Sequence, residues 1–276
     1  MALELDRVQK PLRELRKSLK RLPKNPPPET VHKLRIRARQ IEAIAPALTP
    51  SEQKKTQRLL KSLKPVRKAA GKLRDMDVLA GNALSLPQDG YDQSLDRLMK
   101  ELEAARQKNA GALHDTVGHK RKSARHILKQ YSKLVRAAFE ATGSGSAESA
   151  VQSGKRLQAA AGELTRELRR WPALSAANIH RFRLKIKELR SVLQILIDSD
   201  AEYLEALGKV KDQIGDWHDW QQLAGFARQF LDARKDRALL AQIERTRKQR
   251  LGRALDSANA LRARYLTPFS RQKRGA

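Results

Sequence analysis

The sequence predicts an all-α protein made of two tandem four-helix bundles related by internal duplication, with about eight helices in 276 residues. Three observations lead there. Ala, Leu, Arg, Lys, Glu and Gln dominate the chain and are strong helix formers, while aromatics make up only 4% and β-branched residues are sparse. Apolar residues recur at spacings of three and four. A basic segment of the first half also returns in the second.

Val8, Leu12, Leu15, Leu19 and Leu22 form the apolar stripe of a first helix, which the PKNPPP run from Pro23 to Pro28 ends. Thr30 is placed to cap a second helix, whose stripe is Leu34, Ala38, Ile41, Ala45 and Leu48. Thr49-Pro50-Ser51 opens a third, and Leu86-Pro87-Gln88-Asp89-Gly90 separates it from a long run to about Ala141. Gly143-Ser144-Gly145-Ser146 has the composition of a flexible linker. Helical stretches follow at about 147–171, 176–198, 200–233 and 236–266. The expected division is therefore an N-terminal bundle at 1–141, a linker at 142–146, a C-terminal bundle at 147–266 and a basic tail at 267–276.

The repeat is explicit. Val31-His32-Lys33-Leu34-Arg35-Ile36-Arg37-Ala38-Arg39 aligns with Ile179-His180-Arg181-Phe182-Arg183-Leu184-Lys185-Ile186-Lys187 at a constant offset, which continues through Ile41/Leu189 and Ile44/Val192. Gly71, Leu73, Asp75, Leu79, Ala80 and Gly81 likewise pair with Gly215, Trp217, Asp219, Leu223, Ala224 and Gly225. The two offsets differ by a single indel in the loop between.

Lys and Arg number 58 against 30 Asp and Glu, for a net charge of +28, so self-repulsion is relieved most easily by a polyanion, an anionic membrane or an acidic partner. The charge is focused. In the fourth helix His119, Lys122, Arg125, His126, Lys129, Lys133 and Arg136 share one sector with no carboxylate between them, opposite Ala124, Ile127, Leu128, Tyr131, Leu134, Val135 and Ala138. The first helix repeats the pattern with Lys10, Arg13, Lys17, Lys20 and Lys24, and the third with Lys54, Arg58, Lys61, Lys68 and Lys72. In the repeated segment His32, Arg35 and Arg39 stand opposite the core stripe, as do His180, Arg183 and Lys187. Arg166, Arg169 and Arg190 complete the candidate phosphate ligands. Guanidinium forks bind phosphate oxygens bidentately, ammonium groups act as point charges, and the paired histidines suit hydrogen-bond donation to phosphate. Surrounding cations should depress the histidine pKa values, and a bound polyanion should raise them.

At these residues the sequence resembles the CHAD family, the conserved-histidine α-helical domain. The family's duplicated His-x-x-Arg-x-x-x-Arg/Lys helix is matched by His32, Arg35 and Arg39 and by His180, Arg183 and Lys187. Its Gly-x-x-Arg/Asn-Asp-x-x-x-Leu segment is matched by Gly71, Arg74, Asp75 and Leu79 and by Gly215, His218, Asp219 and Leu223, with His218 where asparagine would be expected. The resemblance spans about 1–266. It implies a pseudo-twofold pair of bundles forming one compact domain around a basic groove or pore. It also implies binding of inorganic polyphosphate, often at polyphosphate granules.

The chemistry of the residues agrees with a ligand made of phosphate alone. Single-strand nucleic-acid binders add aromatic stacking, whereas this chain has only three Trp, four Tyr and five Phe, with Trp217 and Trp220 in a segment that reads as core. Nucleic acid is expected as a weaker competitor, and an architectural protein on nucleic-acid backbones is one alternative reading. A metal-dependent phosphohydrolase or regulator of phosphate metabolism is another, for which Asp75-Met76-Asp77 would be the metal-binding pair. Against it, Asp75 and Asp219 read as turn caps or as partners of cations such as Lys72. No phosphate-cradling glycine loop or nucleophilic triad is present, and His114, His119 and His126 lack zinc spacing. The expectation is a non-catalytic binding module without cofactor or metal. The chain has no cysteine, which excludes disulfides and thiolate chemistry. Its first residues are charged and amphipathic, unlike a secretory signal, and no apolar run spans a membrane, so a cytoplasmic protein is expected.

Overall fold

A computed structural model describes residues 5–49, 52–87, 90, 92–140, 146–196 and 200–266. These form eight α-helices and no strand: α1 (Leu5–Lys20), α2 (Pro28–Leu48), α3 (Gln53–Leu84), α4 (Asp92–Glu140), α5 (Ser146–Arg169), α6 (Ile179–Leu193), α7 (Ala201–Phe230) and α8 (Arg237–Leu261). A π-helical turn, Arg262–Leu266, continues α8. The all-α prediction holds. No helix among the described residues is long and apolar enough to cross a membrane.

The apolar stripes form the helices' buried faces. Val8, Leu12, Leu15 and Leu19 on α1, and Leu34, Ala38, Ile41 and Ala45 on α2, are all buried. Of the boundaries that differ from the sequence reading, two have a local cause. Thr30 does not cap α2: Pro27 occupies the cap and Pro28 the first helical position, where a missing N–H costs nothing. Helix α6 starts at Ile179 rather than 176, because the Asn178 side chain accepts from the Ser175 N–H and donates to the Ala173 carbonyl, holding a turn there. Most of the expected linker and all of the basic tail lie outside the described residues, and Ser146 already belongs to α5.

Within the first half α1 packs on α2 and α4, and α3 on α2 and α4; in the second, α6 packs on α5 and α7, and α7 on α8. The apolar core nevertheless does not divide between the halves. One cluster joins Leu15, Leu34, Leu63 and Leu113 to Leu168, Phe182, Ile214 and Trp217. A second lies where the α3–α4 hairpin meets the α7–α8 hairpin, with Leu79, Leu95 and Leu98 against Trp220, Leu223 and Leu239. A polar latch closes that contact: buried Asp236 accepts from Ser94 Oγ at 2.5 Å, pairs with Arg97, and accepts the Asp232 N–H at 2.8 Å.

Trp220 is 2% exposed and belongs to the cluster shared by both hairpins. Trp220→Ala is therefore expected to lower stability by about 3–5 kcal/mol. Urea unfolding should stay a single transition for parent and variant. Separate transitions of the two halves would mean that the shared core does not couple them.

Candidate anion-binding site

Helix α2 buries Val31, Leu34, Ala38 and Ile41, and α6 buries Ile179, Phe182, Ile186 and Leu189. Their opposite faces turn toward each other where α2 packs on α6. The two basic segments therefore meet around a cavity of about 630 Å³. His32, Arg35 and Arg39 line it from α2, Arg183, Lys187 and Arg190 from α6, Arg67 and Arg74 from α3, and Lys211 from α7. Eight Lys and Arg side chains with His32 outnumber the three carboxylates of the lining, Glu42, Glu188 and Asp212. No Trp, Tyr or Phe lines it among the described residues.

A glycine seats Arg183. A Cβ on Gly215 would stand 2.3 Å from Arg183 Nη2, so the guanidinium occupies the space that glycine leaves on α7, with Nε donating to the Lys211 carbonyl at 3.0 Å. At the equivalent pair a Cβ on Gly71 would lie 3.8 Å from Arg35 Nε, an ordinary contact. Beneath the cavity Arg74 donates to both carboxylate oxygens of Asp219 at 3.4 Å, tying α3 to α7 across the halves, and approaches Asp75 at 3.8 Å. Asp75 and Asp219 thus sit in mid-helix and cap no turn, and Arg74 rather than Lys72 is their partner. Asp77 accepts from Arg106 Nε at 2.7 Å. Among the described residues no group of three His, Asp or Glu side chains could hold a metal ion.

Burial and crowding act in the same direction on the cations. Desolvation, with Arg39 next, lowers Arg35 to about 10. Burial also depresses Arg39 and Arg183. Lys187 falls to about 6, through burial first and then through Arg183, Arg39 and Arg35. His32 and His180 are lowered by burial first and by neighbouring cations second, so desolvation leads the effect expected from charge alone. The His180 and His218 rings stack at 3.9 Å, and burial with His180 brings His218 down to about 4. The Gln222 amide nitrogen lies 3.0 Å from His218 Nε2, which must accept from it, as a neutral imidazole can.

The structure sorts the sequence-selected residues into two groups. His32, Arg35, Arg39, Arg183, Lys187 and Arg190 line the cavity, and His180 lies beside it against His218. Arg35, Arg39, Arg183 and Lys187 are half-buried rather than on a solvated face, because the polar face of α2 meets that of α6. Lys17, Lys20, Lys54, Arg58, Lys61, Lys68, Lys72, Lys122, His126, Lys129, Lys133 and Arg136 are exposed and line no part of the cavity, while Arg125 is half-buried. Arg166 and Arg169 lie on α5 outside the cavity, with Arg169 Nε donating to the Leu266 carbonyl at 2.8 Å. Arg67 and Lys211 were missed, although they occupy equivalent positions one turn before Gly71 and Gly215. Continuing the second repeat by that turn would have found them.

Comparison with known proteins agrees with this architecture. The CHAD domain family model matches residues 6–228, and the chain belongs to that family. A crystal structure of the CHAD domain from the plant Ricinus communis superposes with a TM-score of 0.59 at 20% identity, covering 94% of this chain and 86% of that one. No curated protein sequence matches.

Lys187 carries a pH signature. Its folded pKa of about 6 lies below the ordinary 10.5, so between those values the unfolded chain binds a proton that the folded chain lacks. Stability of the free protein therefore rises with pH through this window and falls as pH drops toward 6. The melting temperature should climb between about pH 6.5 and 9, and Lys187→Gln should flatten the climb. Equal slopes in parent and variant would show that Lys187 keeps its proton when folded.

Proposed function

We propose that the protein binds inorganic polyphosphate without cleaving it, acting in the cytoplasm and at polyphosphate granules. The carrying observation is the half-buried cluster of Arg35, Arg39, Arg183 and Lys187, drawn from both halves and short of carboxylates. A chain of phosphates supplies the missing negative charge at close spacing, and guanidinium groups can engage it through charge-assisted hydrogen bonds. The lack of an aromatic lining favours a ligand without bases over single-stranded nucleic acid. The engagement of Asp75, Asp77 and Asp219 by arginines favours binding over metal-assisted hydrolysis. The neighbouring pairs Arg35 with Gly71 and Arg183 with Gly215, at equivalent positions of the sequence repeat, support an origin by duplication.

The test is binding of labelled polyphosphate to the Arg35→Gln, Arg39→Gln, Arg183→Gln, Lys187→Gln variant, with duplex DNA and ATP as competitors. Each lost charge-assisted hydrogen bond is worth roughly 1.5–3 kcal/mol. Affinity should therefore fall at least about tenfold, which needs only about 1.4 kcal/mol. The variant should melt no lower than the parent, since crowding among like charges is relieved. Unchanged affinity at low salt would remove the cavity from the function, and displacement by DNA at equal phosphate concentration would favour the nucleic-acid reading.

Gly215→Ala separates the seat from the fold. Alanine is favoured over glycine in a helix by roughly 0.5–1 kcal/mol, which offsets the displacement of Arg183. Stability should change little while polyphosphate affinity drops. Gly71→Ala should be stabilising and leave affinity unchanged. Equal affinities for the two variants would mean that the position of Arg183 is immaterial to the ligand.

A further inference from the structure

The exposed cations of the N-terminal half are not an extension of the cavity lining, yet they begin at its edge. From Gln53 to Arg74 helix α3 carries nine Lys and Arg and no carboxylate. Arg67 and Arg74 face the cavity. At 100° per residue, Lys64, Lys68 and Lys61 lie about 60°, 100° and 120° round the helix from Arg67, all in one direction. All three are exposed. The cationic surface of α3 therefore winds without interruption from the cavity wall to the outside.

It continues onto the neighbouring helices. Helix α4 packs along α3 and α1, and between Thr116 and Phe139 it has seven Lys and Arg and no carboxylate. Gln9 Nε2 donates to the Ser132 carbonyl at 2.8 Å, which fixes α1 beside that stretch. Among the described residues no carboxylate pairs with Lys61, Lys68, Lys129 or Lys133, all of which are exposed. Elsewhere cations are paired with carboxylates, as in Arg13 with Asp6, Lys55 with Glu52, Arg228 with Glu244 and Lys185 with Glu167.

We propose that the outer face of α1, α3 and α4 is a second contact surface for a long polyphosphate chain, which leaves the cavity along α3 and lies across that face. The inference rests on the polyphosphate reading of the cavity and adds a dependence on chain length. A short oligophosphate fills the cavity alone. Once a long chain is anchored there, its remainder meets the outer lysines at high effective concentration, so contacts that are weak singly add up. Each phosphate neutralised outside also releases counterions, which steepens the salt dependence of binding. The cavity gives the anchor, and the outer face reads length.

The experiment compares tripolyphosphate with long-chain polyphosphate on the full chain at several salt concentrations. It uses the parent, the cavity variant above, and an outer variant carrying Lys61→Gln, Lys68→Gln, Lys129→Gln and Lys133→Gln. The outer variant should keep its helical circular dichroism, bind tripolyphosphate within about twofold of the parent, lose at least about tenfold for the long chain, and show a shallower salt slope. The cavity variant should lose both ligands. Long-chain affinity unchanged in the outer variant overturns the proposal, as does a parent that binds the long chain no more tightly than tripolyphosphate; either result leaves the cavity reading intact. An outer variant that loses duplex DNA but keeps long polyphosphate makes the face a nucleic-acid surface and overturns it too. A parent that binds neither phosphate ligand removes the cavity reading, and this proposal falls with it.

Discussion

Arg35, Arg39, Arg183 and Lys187 are held together, partly out of water, with too few carboxylates to neutralise them, and the rest of the structure is arranged around that constraint. Like charges at close range repel, and desolvation strengthens the repulsion. The free protein answers in two ways. Lys187 gives up its proton readily, with a pKa of about 6, and Arg183, which cannot do so, is held in the space that Gly215 leaves on α7. Asp75 and Asp219, both beside Arg74, supply counter-charge from the two halves.

Such a cluster persists because the scaffold around it is not free to spread. The two apolar clusters run through both halves, so the helices that carry the cations are fixed by Leu34, Ile41, Phe182 and Ile186 within one cluster and by the hairpin contact at Trp220 in the other. The latch at Asp236 and the Tyr131 hydroxyl, which donates to the Ala45 carbonyl at 2.9 Å, add polar fixing points away from the cavity. A bound polyanion would meet a site whose cations are already positioned, so little ordering would be left for binding to supply.

Much of this was legible in the sequence. Val8 to Leu19 and Leu34 to Leu48 gave the stripes of α1 and α2, with Leu22 buried just past the end of α1, the repeat identified His32, Arg35 and Arg39 with their counterparts, and Trp217 and Trp220 proved to be core. Helical-wheel reasoning states which face is polar but not whether that face meets water or another polar face, so the half-burial of Arg35 and Lys187 was not legible from their place opposite the core stripe. The clusters that mix the halves were hidden for a related reason: periodicity reports that Leu98 and Trp220 are both buried, not that they are buried together. Thr30 misled because its capping chemistry was sound, while the prolines ahead of it had already set the start of the helix.

The central claim, that a polyanion completes the buried cation cluster, is tested most directly by counting protons on binding. Calorimetric titrations with polyphosphate in buffers of different ionisation enthalpy, near pH 7.5, report the net protons taken up. An arriving anion raises the pKa of Lys187, held at about 6 in the free protein, so the account requires proton uptake in the parent and less of it in Lys187→Gln. Tight binding with no proton uptake would place the ligand away from Lys187 and contradict the account.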